Sequence, residues 1–240
     1  GVSASVSASS DNLVTSTAVY AALKALNINN RTHIVIAAHD TKNPLKANAD
    51  YTCTSTNASE VIKQAIDEIG PGGKIELLDG TYNLDYEDDQ IVINKAGITI
   101  EGTGYHTVVK QPIDSYYGEA KFVFKITAQN VSIKKMMICD AVVTSPVSMI
   151  YQEADGASYE EIFFIYNASE STCENACIEG AKTCNYTRIQ NCRVYKGFNV
   201  GTKAMFDFAS CTGFCGVIGA NISSGYNDIT IRFANETHKN

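Results

Sequence analysis

The chain has 240 residues, 45% of them hydrophobic and 19% charged, which suits a sizeable core and excludes a disordered chain. No apolar run approaches the roughly 18–20 residues of a membrane-spanning helix. A net charge of −7, with no cationic cluster beyond Lys134-Lys135, makes neither nucleic acid nor a membrane an expected partner. Residues 1–10 contain only Gly, Val, Ser and Ala, a lead-in without the basic and apolar regions of a signal peptide. In "DNLVTSTAVYAALKALN", Thr15 and Ser16 are possible helix caps, and Val19, Ala22, Leu23 and Leu26 follow at helical spacing. So short a helix is marginal unless its stripe packs on the chain's own body or on copies of itself.

The β-rich stretch "THIVIAAHDT" leads through a polar loop to "SEVIKQAIDEIG". This pattern predicts a helix over 59–69, with Ser59 as cap, Ile62, Ala65, Ile66 and Ile69 on one face, and Gly70-Pro71 as the stop. After Gly73 the character changes. Short β-rich runs recur in "KIELLDGTYNL", "AGITIEG", "QNVSIKKMMI", "SYEEIFFIYNAS", "CNYTRIQNCRV" and "YNDITIRFAN". Several join a turn Asn or Gly to an apolar–polar–apolar triplet, the period of a strand. Recurrence at tens of residues indicates a repeat architecture, and the absence of long helical patterns disfavours alternating β and α units. A sandwich would need tight Asn-Gly hairpins, which are lacking. A solenoid accommodates corner turns and excursions such as "SESTCENACIEGAKT", and it is the expected fold.

The eight cysteines include "CENAC" and "CTGFC", spacings compatible with zinc, but no paired histidines follow them. Cys173, Cys192 and Cys211 lie 19 residues apart, which reads as equivalent inward positions one coil apart, filled by small buried hydrophobes. No metal and no cofactor are expected.

The segment "NADYTCTSTNASEVIKQAIDEIGPGGKIELLDGTYNLDYEDDQIVINKAGITIEGTGYHTVV" resembles the opening of a right-handed parallel β-helix of the pectate-lyase (pectin-lyase-like) superfamily. In that family a similar segment precedes an amphipathic helix that caps the solenoid, followed by a Pro-Gly-Gly turn and an "ITIEGTG"-like coil. The resemblance is good over residues 33–110 and elsewhere rests on strand and Asn-turn periodicity. The upstream "SASSDNLVTSTAVYAAL" resembles the neck of bacteriophage tail-fibre, tail-spike and baseplate-appendage proteins, whose helices associate in threes. Together these imply an all-β, right-handed solenoid of six or seven coils. Residues 1–32 would be a flexible lead-in and oligomerising helical neck, and 33–240 the β-helix with its capping helix at 59–69. They further imply a homotrimer in a phage virion or of prophage origin, joined to other tail or baseplate proteins and facing a cell-surface polysaccharide. A secreted or surface-anchored bacterial β-helix is the alternative location.

β-Helical hydrolases and lyases act through carboxylates, so the acids are candidates. The densest cluster holds Asp85, Glu87, Asp88 and Asp89 in a turn where solvated like charges are also ordinary. Glu153 and Asp155 form a second candidate, though Asp155-Gly156 also reads as a turn. Asp114, Tyr116 and Tyr117 form a loop whose adjacent tyrosines could stack on sugar rings. The Arg-x-Pro-x-x-Arg pattern of pectate lyases and the Gly-His-Gly of polygalacturonases are both missing, as is a nucleophile elbow. The resemblance therefore supplies a fold and no catalytic residue. The seven Asn-x-Ser/Thr triplets read more simply as Asn turns entering strands than as glycosylation sites. The preferred expectation is a non-enzymatic binding or structural appendage, and the runner-up is a polysaccharide-degrading enzyme whose acids would face each other from adjacent coils.

Overall fold

The computed structural model describes residues 31–84, 90–110, 122–139, 148–166, 176–181, 184–196, 206–208, 215–218, 221–224 and 231–233. The expected helical neck, within residues 1–32, lies outside them except for its last two residues. All strand pairings among the described residues are parallel, and strands distant in sequence are neighbours in space, so the chain winds as a right-handed parallel β-helix.

Three faces recur on successive coils. The first stacks Arg31–Ala37, Ile69–Leu77, Thr99–Gly102, Ser132–Cys139, Ser158–Tyr166, Thr187–Gln190 and Cys215–Ile218. The second is a six-stranded sheet of Ile91–Ile93, Phe124–Ile126, Ile150–Gln152, Ile178–Gly180, Phe206–Phe208 and Ile231–Phe233. The third stacks Gly80–Asn83, Thr107–Lys110, the second halves of Ser132–Cys139 and Ser158–Tyr166, Arg193–Lys196 and Asn221–Ser224. The first and third faces share the long strands, which bend at Lys135 and Glu161, where φ is +55° and +54°.

Period-2 alternation sends one side chain of each triplet inward. Ile34, Ile75, Ile100, Ile133, Tyr159 and Ile189 form a register-matched, fully buried column beneath the first face. Tyr82, Val109, Ile138, Phe164 and Val194 do the same beneath the third. The buried Tyr82 and Gln152 side chains of this core find partners. The Tyr82 hydroxyl donates toward the Ile36 and Leu78 carbonyls at 2.8 and 3.0 Å. Gln152 donates to Thr187 Oγ1 at 2.7 Å and accepts from the Tyr159 hydroxyl at 3.0 Å.

One end of the stack is closed by the helix Ala58–Glu68, which buries Ala58, Val61, Ile62, Ala65 and Ile66 in the same core. Its boundaries correct the sequence reading. Ser59 is buried inside the first turn, and the cap position is Asn57, whose Oδ1 instead accepts from the Thr54 amide at 2.7 Å. Gly70 and Pro71 do not form a stop turn. The residue before a proline is pushed toward extended backbone, and the strand Ile69–Leu77 begins directly at the helix end. The terminal carbonyl of Ile69 is satisfied from the next coil by Lys95 Nζ at 3.0 Å. Glu68 accepts from Arg31 Nη1 at 3.4 Å and from the Tyr51 hydroxyl at 2.5 Å, tying the helix to the first rungs. Burial and this carboxylate push the Tyr51 phenol up to about 12.

The 19-residue cysteine spacing is not a coil length. Register-matched residues Ile91, Phe124, Ile150, Ile178, Phe206 and Ile231 step by 25 to 33 residues. Cys173 and Cys211 lie outside the described residues. Cys192 is buried, and burial pushes its thiol up to about 11, away from thiolate reactivity. Cys53, Cys139, Cys177 and Cys184 are buried as well. The long loop expected over 168–185 is also interrupted, because Ile178–Gly180 forms a rung of the second sheet.

Candidate functional site

The middle positions of the second sheet form one register-matched row: Val92, Lys125, Tyr151, Glu179, Asp207 and Arg232. Each is the middle residue of its triplet, so the row sits on the outer surface at the roughly 4.8 Å spacing of stacked strands. Val92, Lys125, Tyr151 and Glu179 are half-buried, whereas Asp207 is 5% exposed. Phe122, entering the strand Phe124–Ile126, stacks on Tyr151 with centroids 4.8 Å apart and planes 11° from parallel. Lys125 Nζ lies 6.0 Å from the Tyr151 centroid and pairs with Glu153 Oε1 at 2.9 Å. Ser148 donates to Glu179 Oε2 at 2.5 Å. Burial, then the charges of Glu153 and Glu179, push the Tyr151 phenol up against the opposing Lys125, so it stays neutral and able to donate at physiological pH.

The site adjoins the edge where the coils are longest. Chain leaves the third face and enters the second through residues 84–90, 111–123, 140–149, 167–177, 197–205 and 225–230. Phe122 and Ser148 lie at the ends of two of these connections. Asp85, Asp88 and Asp89 belong to the first connection, and Asp114, Tyr116 and Tyr117 to the second. All six lie outside the described residues, but the strands that bound the two connections stack directly, Gly80–Asn83 on Thr107–Lys110 and Ile91–Ile93 on Phe124–Ile126.

Glu153 and Asp155, near neighbours in sequence, separate in space and role. Glu153 pairs with Lys125 beside the aromatic stack. Asp155 belongs to a corner, where its Oδ1 accepts from the Asn185 backbone and side-chain amides at 2.7 and 3.1 Å. Sequence reasoning missed Phe122, Lys125, Tyr151, Glu179 and Asp207. Each was visible only as the edge or the polar centre of an apolar triplet, such as "FKI", "IYQ", "IEG" and "FDF". Among the described residues, no three His, Cys, Asp or Glu side chains group as metal ligands would. No helix among them is long and apolar enough to cross a membrane.

No family model matches this chain, and no curated protein matches it. Among solved structures it is similar to a pectin methylesterase mutant in complex with a hexasaccharide, at 12% identity and a TM-score of 0.45, over 80% of this chain and 66% of that one. It is similar to the ORF18 protein of Geobacillus virus E2 at 16% identity and a TM-score of 0.44, over 85% of this chain and 43% of that one. It is also similar to the pectin methylesterase from Aspergillus niger at 11% identity and a TM-score of 0.33, covering 85% and 90% of the two chains. The chain thus spans less than two thirds of the length of the first two.

Proposed function

We propose that this protein is a bacteriophage- or prophage-type appendage, a homotrimeric β-helix of the virion that contacts a host-surface glycan. The observation that carries the reading is the run of connections of six to thirteen residues between the third face and the second, along one edge beside a half-buried aromatic pair. In solenoid proteins, insertions confined to one side of the repeats commonly form the binding face. The resemblance of the upstream segment to phage necks supports the trimer. The test is twofold: sedimentation of the full chain and of a variant lacking residues 11–27, and binding to a panel of bacterial surface polysaccharides. A trimer that becomes monomeric on deletion, with glycan binding, supports the proposal. A monomeric full-length chain removes the trimer, and silence across the panel removes the glycan.

A second reading, a glycoside hydrolase or lyase, is favoured by one specific observation. Glu179 and Asp207 are register partners on adjacent coils of the same outward row. One strand spacing puts their backbones about 4.8 Å apart, and carboxyl pairs that cleave glycosides stand roughly 5–10 Å apart. Release of reducing ends from a bound polysaccharide, abolished by Glu179→Gln or Asp207→Asn, would establish the enzyme. Binding without release would leave the appendage.

A further inference from the structure

We infer that the Phe122–Tyr151 stack, with Glu153, Glu179 and Ser148 around it, is a subsite for a hexopyranose ring that carries no acid group. This rests on the glycan-contacting reading above and narrows it to a substrate class. The two rings lie 11° from parallel and are half-buried, which gives a flat apolar step beside the charged residues of the outer sheet. An aromatic face is electron-rich and suits the C–H-bearing face of a sugar ring. Binding sites of this kind pair an apolar platform with a few placed polar groups.

The polar groups here are mostly acceptors. Glu153 and Glu179 flank Tyr151, Asp207 follows in the row, and the donor Ser148 is already directed at Glu179. Lys125 is engaged by Glu153 at 2.9 Å. An acceptor-rich rim suits ring hydroxyls, which arrive as donors. It opposes a uronate or sialate carboxylate, because Glu153 and Glu179, beside one cation that is already paired, repel another negative charge. The chain as a whole, at −7, adds to that repulsion.

The experiment uses the full chain and measures affinity for dextran, mannan and galactan as neutral probes and for polygalacturonate as the acidic one, at low and high salt. Binding of a neutral probe is expected to exceed polygalacturonate by at least about tenfold at low salt, with the gap narrowing as salt screens the carboxylates. Tyr151→Ala should weaken neutral binding about tenfold, while Tyr151→Phe, which keeps the ring and reports on folding, should retain it. The double variant Glu153→Gln with Glu179→Gln should narrow the gap to polygalacturonate. Neutral binding unchanged in Tyr151→Ala, or polygalacturonate bound as tightly as the neutral probes, overturns this inference and leaves the glycan reading standing. No binding by any of the four probes overturns this inference, and the glycan reading falls with it when the panel of bacterial surface polysaccharides is silent too.

Discussion

Two corners of the same coil obey opposite rules. From the second face to the first, the connections 94–98, 127–131, 153–157, 181–186 and 209–214 are five or six residues long on every coil. From the third face to the second they run from six residues to thirteen. The short corner is held by a backbone column. Gly72, Gly97, Asn130, Gly156 and Tyr186 all have φ between +55° and +76°. The amides of the first four donate to Ala96, Gln129, Asp155 and Asn185 of the next coil at 2.8–3.0 Å. A residue added there would break this column and rotate the following strand, exchanging its inward and outward side chains. At the open edge, by contrast, the connections share neither length nor composition from coil to coil. A solenoid can therefore place its binding chemistry at one corner and its structural regularity at another.

The largest test of this contrast is a matched insertion. Four Gly/Ser residues between Asp155 and Gly156 should cost more than about 3 kcal/mol, because strand register and the buried Tyr159–Gln152 pair are lost together. The same four residues inserted within 111–121 should cost less than about 1 kcal/mol, the entropy of a longer loop. Urea unfolding of both variants reads the difference, and equal costs would mean the open edge is as constrained as the closed corner.

A finer test acts on single residues of the closed corners. At Gly156 an added Cβ would lie 2.3 Å from Asn130 Oδ1, on a backbone with φ +76°. Gly156→Ala should therefore cost about 1–2 kcal/mol. Glu161 occupies the left-handed region with a side chain, at the bend between the first and third faces. Glu161→Gly should gain up to about 1 kcal/mol by relieving that conformation. Opposite signs at the two sites are the expected thermal-melting result. Destabilisation at Glu161 would show that its side chain contributes more than its backbone conformation costs.

These particulars define what the sequence made legible. The capping helix and the strand triplets follow from periodicity, and Gly97, Asn130 and Gly156 stood out as turn residues. Tyr186, Lys135 and Glu161 did not, because tertiary stacking imposes a left-handed conformation that their own preferences disfavour. The candidate site was hidden for a related reason. Phe122 and Tyr151 are 29 residues apart, and the coils between rungs vary from 25 to 33, so no fixed offset predicts who stacks on whom. Glu153 was singled out from composition alone, whereas its partner Lys125 emerges only from the register of the second sheet.

The smallest effect concerns the outer surface of the first face, which carries a network of ion pairs where the second carries an aromatic stack beside the pair Lys125–Glu153. Glu101 lies between Lys74 at 3.0 Å and Lys135 at 2.8 Å, and Lys74 also reaches Glu76 at 3.3 Å. Partial burial pushes the Glu101 carboxyl up, but the two lysines outweigh it and hold it below the ordinary carboxylate value. A carboxyl depressed in the folded state adds stability that is present above its unfolded pKa and lost as pH falls through the folded one. For so exposed a network the gain should stay below about 1 kcal/mol. Glu101→Gln should thus lower the melting temperature slightly at neutral pH and flatten the loss of stability on acidification. Molar salt should erase most of the difference between the two chains. A neutral-pH difference that survives salt would mean that Glu101 acts through packing between coils, and that the first face, like the closed corner, is held by contacts rather than by charge.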